Sequence, residues 1–222
     1  MGEDYLEQRM KMIWEQINRR GLKNQRLLDA FLKVPRHRFV PEDMAEYAYS
    51  DEPLIIDCGQ TISQPYIVAL MTSLLNLQGD ETVLEIGTGS GYQAAILAQL
   101  AKLVHTVEFH PPLAEQARKV LQELGYLNVE VHVGDGSLGW PEGGPYQGIL
   151  VTAAAPEPPP PLLNQLADGG KIVLPVGSRH YQELQVWERS GDNYIRESIT
   201  SVSFVPLRGQ HGWSEEQWPS RL

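Results

Sequence analysis

The sequence predicts an α/β fold in which helices pack on a doubly wound, mostly parallel sheet. One observation is that short apolar runs alternate with amphipathic stretches at helical spacing from residue 80 onward. Another is that the first apolar run leads directly into a glycine-rich loop and a helix. The third is a Ser-Gly-Asp-Asn turn between two strand-like runs near the C-terminus, which predicts an antiparallel edge.

Helices dominate the predicted N-terminal segment, residues 1–78. The first helix carries apolar residues that we expect to face the core: Leu6, Met10, Ile13, Trp14 and Ile17. Gly21 can end this helix, and Asn24 predicts the N-cap of a second one. The residues of the second helix that we expect to point inward are Leu27, Leu28, Phe31 and Leu32. Residues 42–62 look irregular, with short strands near Leu54–Ile56, and a third helix is predicted just after Ser63.

Five parallel strands are predicted in residues 79–208. They are Thr82–Ile86, Val104–Glu108, Val129–Val133, Gly148–Thr152 and Lys171–Pro175. The predicted helices are Tyr92–Leu103, one that ends at Gly125, and the short Leu162–Leu166. The antiparallel pair is Glu183–Glu188 and Tyr194–Val205. Residues 209–222 form a tail beyond this core.

Composition excludes several classes of function. The chain has 222 residues and a net charge of −10, which argues against a broad phosphate-binding surface and hence a nucleic-acid partner. No apolar run approaches the roughly 20 residues that span a membrane, and the start lacks a signal-peptide pattern. A single cysteine, Cys58, excludes an internal disulfide and is expected to be buried and inert. We therefore expect a cytoplasmic protein without a membrane partner.

Histidine spacing predicts no metal site. The six histidines show no ligand-like spacing. His105 and His132 fall in strand patterns, so we expect packed or edge residues rather than ligands.

The glycine loop, Gly87-Thr88-Gly89-Ser90-Gly91, is the most informative stretch. Glycines let the backbone approach a ligand closely after a strand. A dinucleotide site requires G-x-G-x-x-G, and Tyr92 occupies the position of its last glycine. Glu85, expected at the loop mouth, would repel a pyrophosphate but favour a cation. S-adenosylmethionine carries an ammonium and a sulfonium group and no phosphate, so the loop favours this cofactor over NAD.

Two further loops support an adenosylmethionine site. Glu108 ends the second strand 21 positions after Gly87, where an acid can hold ribose hydroxyls. The turn Gly134-Asp135-Gly136 follows the third strand. All three loops lie at carboxyl ends of parallel strands, where open α/β sheets bind ligands. The fold expected is thus the Rossmann-like type of the S-adenosylmethionine-dependent methyltransferases.

Several longer segments resemble the protein-L-isoaspartate O-methyltransferase family. The most specific are Gly59-Gln60-Thr61-Ile62-Ser63-Gln64-Pro65-Tyr66 and Val34-Pro35-Arg36-His37-Arg38-Phe39-Val40-Pro41. Others are the glycine loop, Gly134–Gly136, Thr152–Pro156, Leu174–Gly177 and Phe204–Leu207. The resemblance covers nearly the whole chain, apart from the tail.

The resemblance implies methyl transfer from S-adenosyl-L-methionine to the free α-carboxylate of L-isoaspartyl residues in damaged proteins and peptides. It implies that Ser63 is the active-site residue, with Ile62 and Tyr66 beside it at the substrate mouth. The methionine part of the cofactor would be cradled by Glu85, Gly87, Thr88, Gly89 and Gly91. Glu108 would bind the ribose, and Asp135 and Gly136 the adenine. The isoaspartyl pocket would be lined by Val205, Pro206 and Leu207.

Some alternatives stay open at this stage. Ser63 also suits a helix cap. Arg208 could supply charge for an anionic substrate or point to solvent. The tail could dock on the domain, contact another subunit or be loose, and a monomer is favoured. Competing functions are a methyltransferase acting on RNA or a small molecule, and a non-catalytic adenosylmethionine-binding module.

Overall fold

The computed structural model describes residues 2–219. Its strands are β1 (Leu54–Ile55), β2 (Thr61–Ile62), β3 (Thr82–Ile86), β4 (Leu103–Glu108), β5 (Val129–Val133), β6 (Tyr146–Val151), β7 (Leu166–Gly177), β8 (Gln182–Ser190) and β9 (Asn193–Val202). Its helices are α1 (Gly2–Met12), α2 (Gln25–Lys33), α3 (Pro65–Leu75), α4 (Tyr92–Ala98), α5 (Pro111–Glu123) and α6 (Pro160–Asn164).

Seven strands form one sheet in the order β5-β4-β3-β6-β7-β8-β9. The first five are mutually parallel, and β8 and β9 extend the sheet antiparallel to β7. The order reverses at β3, which lies between β4 and β6, so the loops after these strands meet at one edge. The predicted Rossmann-like fold with an antiparallel C-terminal pair is confirmed.

The short elements before the sheet also follow the prediction. β1 and β2 form a small antiparallel pair with Leu54 opposite Ile62. Asn24 caps α2, because its side chain accepts a hydrogen bond from the Leu27 amide at 3.2 Å.

The predicted inward face of the first helix is wrong for three of its five residues, while Ile17 is buried and Ile13 packs against the core as expected. Leu6, Met10 and Trp14 are 47%, 56% and 60% exposed, and Leu32 of α2 is also exposed. The buried residues of this segment are Met12 and Ile17. Polar side chains nearby hydrogen-bond to backbone carbonyls: Arg9 donates to the Leu32 carbonyl at 2.7 Å, and Gln16 donates to the Tyr49 carbonyl at 2.8 Å. Apolar spacing alone placed the face wrongly because it ignores inward polar side chains that hydrogen-bond to backbone carbonyls.

A buried arginine joins the N-terminal segment to α4. Arg36 is fully buried, and its Nε donates to the Ala48 carbonyl at 2.7 Å. Its guanidinium carbon lies 4.8 Å from the ring centre of Tyr92, the first residue of α4. Phe31 and Phe39 approach the same ring edge-on, at 6.2 and 5.7 Å between centroids. The segment therefore packs directly against the helix that follows the glycine loop.

Candidate active site

Two adjoining clefts open at the carboxyl ends of the parallel strands. The larger, about 550 Å³ including its open mouth, is bounded by the β3, β4 and β6 loops and by residues 205–208. The smaller, about 380 Å³, reaches toward the start of α3. The two clefts share four lining residues: Thr61, Gly87, Gly89 and Thr152. One ligand on the glycine loop can thus face a second ligand near α3.

The glycine loop is held against the β6 loop. Gly87 has a φ of +91°, and a Cβ built there would lie 2.4 Å from Thr152 Oγ1. That hydroxyl donates toward the Ile86 carbonyl at 3.0 Å and the Gly87 carbonyl at 2.7 Å. Only glycine satisfies both the left-handed backbone and this close approach.

Glu108 lies on the wall of the larger cleft, as predicted. It is 4% exposed. Its Oε2 accepts a hydrogen bond from the Gly89 amide at 2.8 Å, and its Oε1 accepts one from the His110 amide at 2.9 Å. These bonds fix the carboxylate at the end of β4 with one edge at the cleft.

Glu85 does not lie at the loop mouth. It is fully buried in β3 and lines neither cleft. Its Oε2 accepts from the Thr106 hydroxyl at 2.5 Å, and its Oε1 has no hydrogen-bond partner among the described residues. Burial raises the pKa of Glu85 to about 8, the Thr106 hydrogen bond opposes the rise, and the charge of Glu108 adds to it. The site therefore has a buried acceptor behind the loop, not a charge at its mouth.

The Glu85 carboxyl predicts a specific pH dependence of stability. The pKa of Glu85 is about 8 in the folded chain, above the ordinary value of 4.5. Below pH 4.5 the carboxyl is protonated in both the folded and the unfolded chain, and the full stability of the folded chain is present. As pH rises from 4.5 through 8, the unfolded chain releases this proton more readily, so the free energy of unfolding falls. Glu85→Gln should remove this loss. Relative to the wild type, the variant should gain up to several kcal/mol between pH 5 and 9, since each tenfold change in equilibrium is about 1.4 kcal/mol. Urea unfolding of both proteins across this range measures the difference, and a difference that does not vary with pH would contradict the assignment.

Of the two residues predicted to contact the adenine, Gly136 lines the larger cleft and Asp135 bonds to the tail. Gly136 lines the larger cleft, and a Cβ there would lie 2.5 Å from Ile86 Cγ2. Asp135 does not line it. Its Oδ1 accepts from the Ser137 amide at 2.9 Å and hydroxyl at 2.6 Å, and its Oδ2 accepts from the Gln210 amide at 2.7 Å. Asp135 therefore holds both its own turn and the tail beside the cleft.

Ser63 and Ile62 line the smaller cleft, as expected of a substrate side. The N-cap of α3 is Gln64, and no side chain hydrogen-bonds at that cap. Across residues 2–219, the Ser63 hydroxyl has no hydrogen-bond partner. The helix-cap interpretation of Ser63 is therefore wrong, and its hydroxyl is available to a ligand.

Tyr66, expected beside Ser63 at the substrate mouth, lies in the first turn of α3, three residues after Ser63. It lines neither cleft, and the Arg20 guanidinium sits 4.5 Å from its ring centre. Val205, Pro206 and Leu207 do line the larger cleft. Backbone hydrogen bonds of 2.8 Å join Ala154 to Val205 and to Leu207, so this segment is fixed to the loop after β6.

Sequence reasoning missed several lining residues. They are Gln60, Thr61, Phe109, His110, Thr152 and Ala153. Four of them directly follow β4 or β6, so the rule that ligands bind at the carboxyl ends of parallel strands could have found them. Cys58, expected to be buried, is exposed two residues before Gln60.

Arg208 organises the tail, a role that neither earlier expectation anticipated. Its guanidinium donates to the Trp213 carbonyl at 3.0 Å and the Trp218 carbonyl at 2.7 Å, and pairs with Glu215 at 3.1 Å. Trp218 is buried, with its ring 5.8 Å from that of Trp213. Of the alternatives for the tail, docking on the domain is therefore the one observed for residues 209–219. Residues 220–222 lie outside the described part of the chain.

Removing the Arg208 charge should release the tail. In Arg208→Gln we expect the amides of Gln210, His211 and Trp213 to exchange at least tenfold faster, because each hydrogen bond to a charged group contributes about 1.5–3 kcal/mol. Hydrogen–deuterium exchange with mass spectrometry measures this, and Arg179→Gln, at an exposed arginine, is the control. Unchanged protection of residues 210–218 in Arg208→Gln would contradict this role.

Comparison with known proteins identifies the family. The family model described as protein-L-isoaspartate(D-aspartate) O-methyltransferase matches residues 7–212. The chain belongs to this family. A protein-L-isoaspartate O-methyltransferase of Dictyoglomus thermophilum is 53% identical over 212 residues, covering 96% of each chain. One from Trichlorobacter lovleyi is 57% identical over 206 residues, covering 92% of this chain and 95% of the relative.

Solved structures agree in fold. A protein-L-isoaspartate O-methyltransferase superposes with a TM-score of 0.83 at 30% identity, covering 92% of this chain and 67% of that one. A beta-aspartate methyltransferase from Plasmodium falciparum, in complex with S-adenosyl-L-homocysteine, gives 0.79 at 24% identity and covers 90% and 98%. Among the described helices, none has the length and apolar character needed to cross a bilayer.

Proposed function

We propose that this chain methylates the free α-carboxylate of L-isoaspartyl residues in proteins and peptides, using S-adenosyl-L-methionine, and so initiates their repair. The observation that carries the proposal is the placement of Ser63. Its unengaged hydroxyl lines a cleft that is continuous with the cleft of Glu108 and the glycine loop. An acceptor held by Ser63 would therefore meet a methyl donor held by the loop.

The larger cleft fits the cofactor. Gly87 and Gly136 both line this cleft, and the close packing of their backbone on Thr152 and Ile86 holds the two loops in place along its wall. Glu108 presents a carboxylate suited to ribose hydroxyls, and Gly136 lies where the adenine would rest. Thr88 and Gly89 of the loop would cradle the methionine part. Gly91, also expected there, is buried, lines neither cleft and packs close to Ala117 and Leu121 of α5. Glu85 lies beneath the loop and would orient the Thr88 hydroxyl indirectly, because Glu85 bonds to the Thr106 hydroxyl and the hydroxyls of Thr106 and Thr88 lie 2.7 Å apart.

The acceptor needs orientation more than activation. An α-carboxyl group titrates near 3.3–3.7, so it is ionised and nucleophilic at neutral pH. When bound, S-adenosylmethionine supplies a methyl group activated by a sulfonium. Ser63 would donate a hydrogen bond to one carboxylate oxygen, leaving the other to attack. Ile62 and residues 205–207 would exclude water around it, so that catalysis comes mainly from proximity and orientation.

The Ser63 hydroxyl supplies the test of this assignment. Ser63→Ala should lower kcat/KM for an isoaspartyl peptide by about 10–100-fold, because a hydrogen bond to a charged group contributes about 1.5–3 kcal/mol. Affinity for S-adenosylhomocysteine should not change. Ser73→Ala is the control, since the Ser73 hydroxyl bonds to the Leu70 carbonyl on α3. Wild-type kcat/KM in Ser63→Ala, or weakened S-adenosylhomocysteine binding, would count against the role of Ser63.

We further propose that the chain acts as a monomer in the cytoplasm, on protein and peptide substrates rather than nucleic acid or membranes. The single unpaired cysteine supports a reducing compartment, and the net charge of −10 argues against a nucleic-acid partner. We also propose a division into an N-terminal extension over residues 1–78, a methyltransferase core over 79–208 and a tail over 209–222.

A further inference from the structure

A cluster of two histidines and a glutamate lies on neighbouring strands at the far edge of the sheet. His105 of β4 is opposite Glu130 of β5, and His132 follows Glu130 by two residues on the same face. His105 Nδ1 lies 3.1 Å from His132 Nε2 and 3.4 Å from Glu130 Oε2, and the last two atoms are 3.9 Å apart. None of the three residues lines either cleft, so the cluster is separate from the active site.

We propose that His105, Glu130 and His132 bind a divalent transition-metal ion of the Zn²⁺ type, with a fourth position open to water. Zinc binds nitrogen and carboxylate oxygen at about 2.0–2.2 Å with tetrahedral geometry, which separates neighbouring ligand atoms by about 3.3–3.6 Å. The three observed separations bracket this range. Glu130 has a side chain that is 55% exposed and can adjust, and it opens the site to solvent.

The surroundings hold both imidazoles in place. The Trp140 ring stacks on His132 at 3.9 Å between centroids, and the Tyr146 ring meets His105 edge-on at 6.0 Å. A Cβ at Gly143 would lie 2.6 Å from His105 Nε2, so only glycine fits over that ring. Rings fixed in this way have little freedom left to lose when a metal binds.

The protonation of the histidines is compatible with metal binding. Burial lowers the pKa of His105 and of His132, with the charge of Glu130 opposing the change at both. His132 also faces Glu142 and Arg118. A lowered pKa favours the neutral imidazole, which is the form that binds a metal.

Such a site would tie the edge strand β5 to β4. The loop after β5 carries Gly136 to the cofactor cleft and Trp140 back onto His132. Sequence spacing could not reveal the site, because its ligands come from two strands and converge only through the sheet register. The competing arrangement is a direct hydrogen bond between the two imidazoles without metal.

Metal titration of untagged, chelator-treated protein tests the proposal. Zinc chloride should bind at one ion per chain by calorimetry, and should raise Tm by roughly 5–10 °C at free metal 100-fold above Kd. His132→Gln should weaken binding by more than about 100-fold, since even outer-shell partners typically cost 10–100-fold. His180→Gln, at an exposed histidine, should bind as the wild type does.

Glu130→Gln keeps the test decisive if His132→Gln fails to fold. Glu130 is on the surface, so its substitution should leave the fold intact, and this variant should bind zinc at least tenfold more weakly than the wild type. Absence of saturable zinc binding by the wild type would overturn the proposal and leave the hydrogen-bonded histidine pair. Binding that survives intact in both His132→Gln and Glu130→Gln would also overturn it, by placing the metal elsewhere.

Discussion

Glu108→Gln is expected to lose roughly 100-fold in affinity for S-adenosylhomocysteine, with a comparable loss in kcat/KM for S-adenosylmethionine. The carboxylate accepts hydrogen bonds from the Gly89 and His110 amides and borders the larger cleft. A neutral amide has one acceptor oxygen and lacks the charge. Changing a charged acceptor to a neutral one lowers the contribution of each hydrogen bond to the ribose from about 1.5–3 to about 0.5–1.5 kcal/mol, and the summed loss over two such bonds of roughly 2–3 kcal/mol corresponds to about 100-fold.

Calorimetric titration with S-adenosylhomocysteine measures the affinity change in Glu108→Gln. The matched control is Glu115→Gln, which removes an exposed carboxylate that pairs with Arg118 on the same helix. That variant should bind as tightly as the wild type. Equal affinities of Glu108→Gln and Glu115→Gln would remove Glu108 from the cofactor site.

Gly87→Ala is expected to destabilise the chain by about 2–4 kcal/mol and to abolish measurable cofactor binding. The substitution places a Cβ in a left-handed conformation, which costs roughly 1–2 kcal/mol. The new Cβ would also lie 2.4 Å from Thr152 Oγ1, which is closer than a van der Waals contact allows. Since this hydroxyl donates to the Gly87 carbonyl, it cannot move away without losing that hydrogen bond.

Gly125→Ala separates the two causes. Gly125 has a φ of +79° and nothing within 4 Å of its built Cβ, so its substitution carries the backbone strain alone. Urea unfolding should show a loss of about 1–2 kcal/mol for this variant, clearly smaller than for Gly87→Ala. Equal losses in the two variants would show that the contact with Thr152 is not tight.

The sheet and the glycine loop could be predicted because local signals there agree with the fold. Buried parallel strands are short continuous apolar runs, and the loop's spacing after β3 separates it from a dinucleotide site. The position of Glu108 could also be predicted, because it is the last residue of β4 and the carboxyl ends of parallel strands border the ligand-binding cleft.

The sequence predicts less well those side chains whose position depends on contacts with residues distant in the chain. Glu85 comes only two residues before the glycine loop in sequence, yet its position within β3 directs its side chain toward Thr106 on β4 and not to the mouth of the loop. Arg208 borders the larger cleft, which fits the substrate-side expectation, but its contacts with the tail at Trp213 and Trp218 were not predicted. The Tyr66 ring contacts the guanidinium of Arg20, which lies 46 residues earlier in the chain. Each of these outcomes depends on a partner that sequence spacing does not reveal.

The most direct test of the central claim is a competition between two peptides that differ only in one linkage. An isoaspartyl peptide and its normal aspartyl isomer would be mixed in equal amounts with the wild-type chain and labelled S-adenosylmethionine. The account predicts methyl ester on the isoaspartyl peptide alone, because only that isomer presents a free α-carboxylate at the linkage. Equal labelling of both peptides, or labelling of neither while S-adenosylmethionine binds, would contradict it.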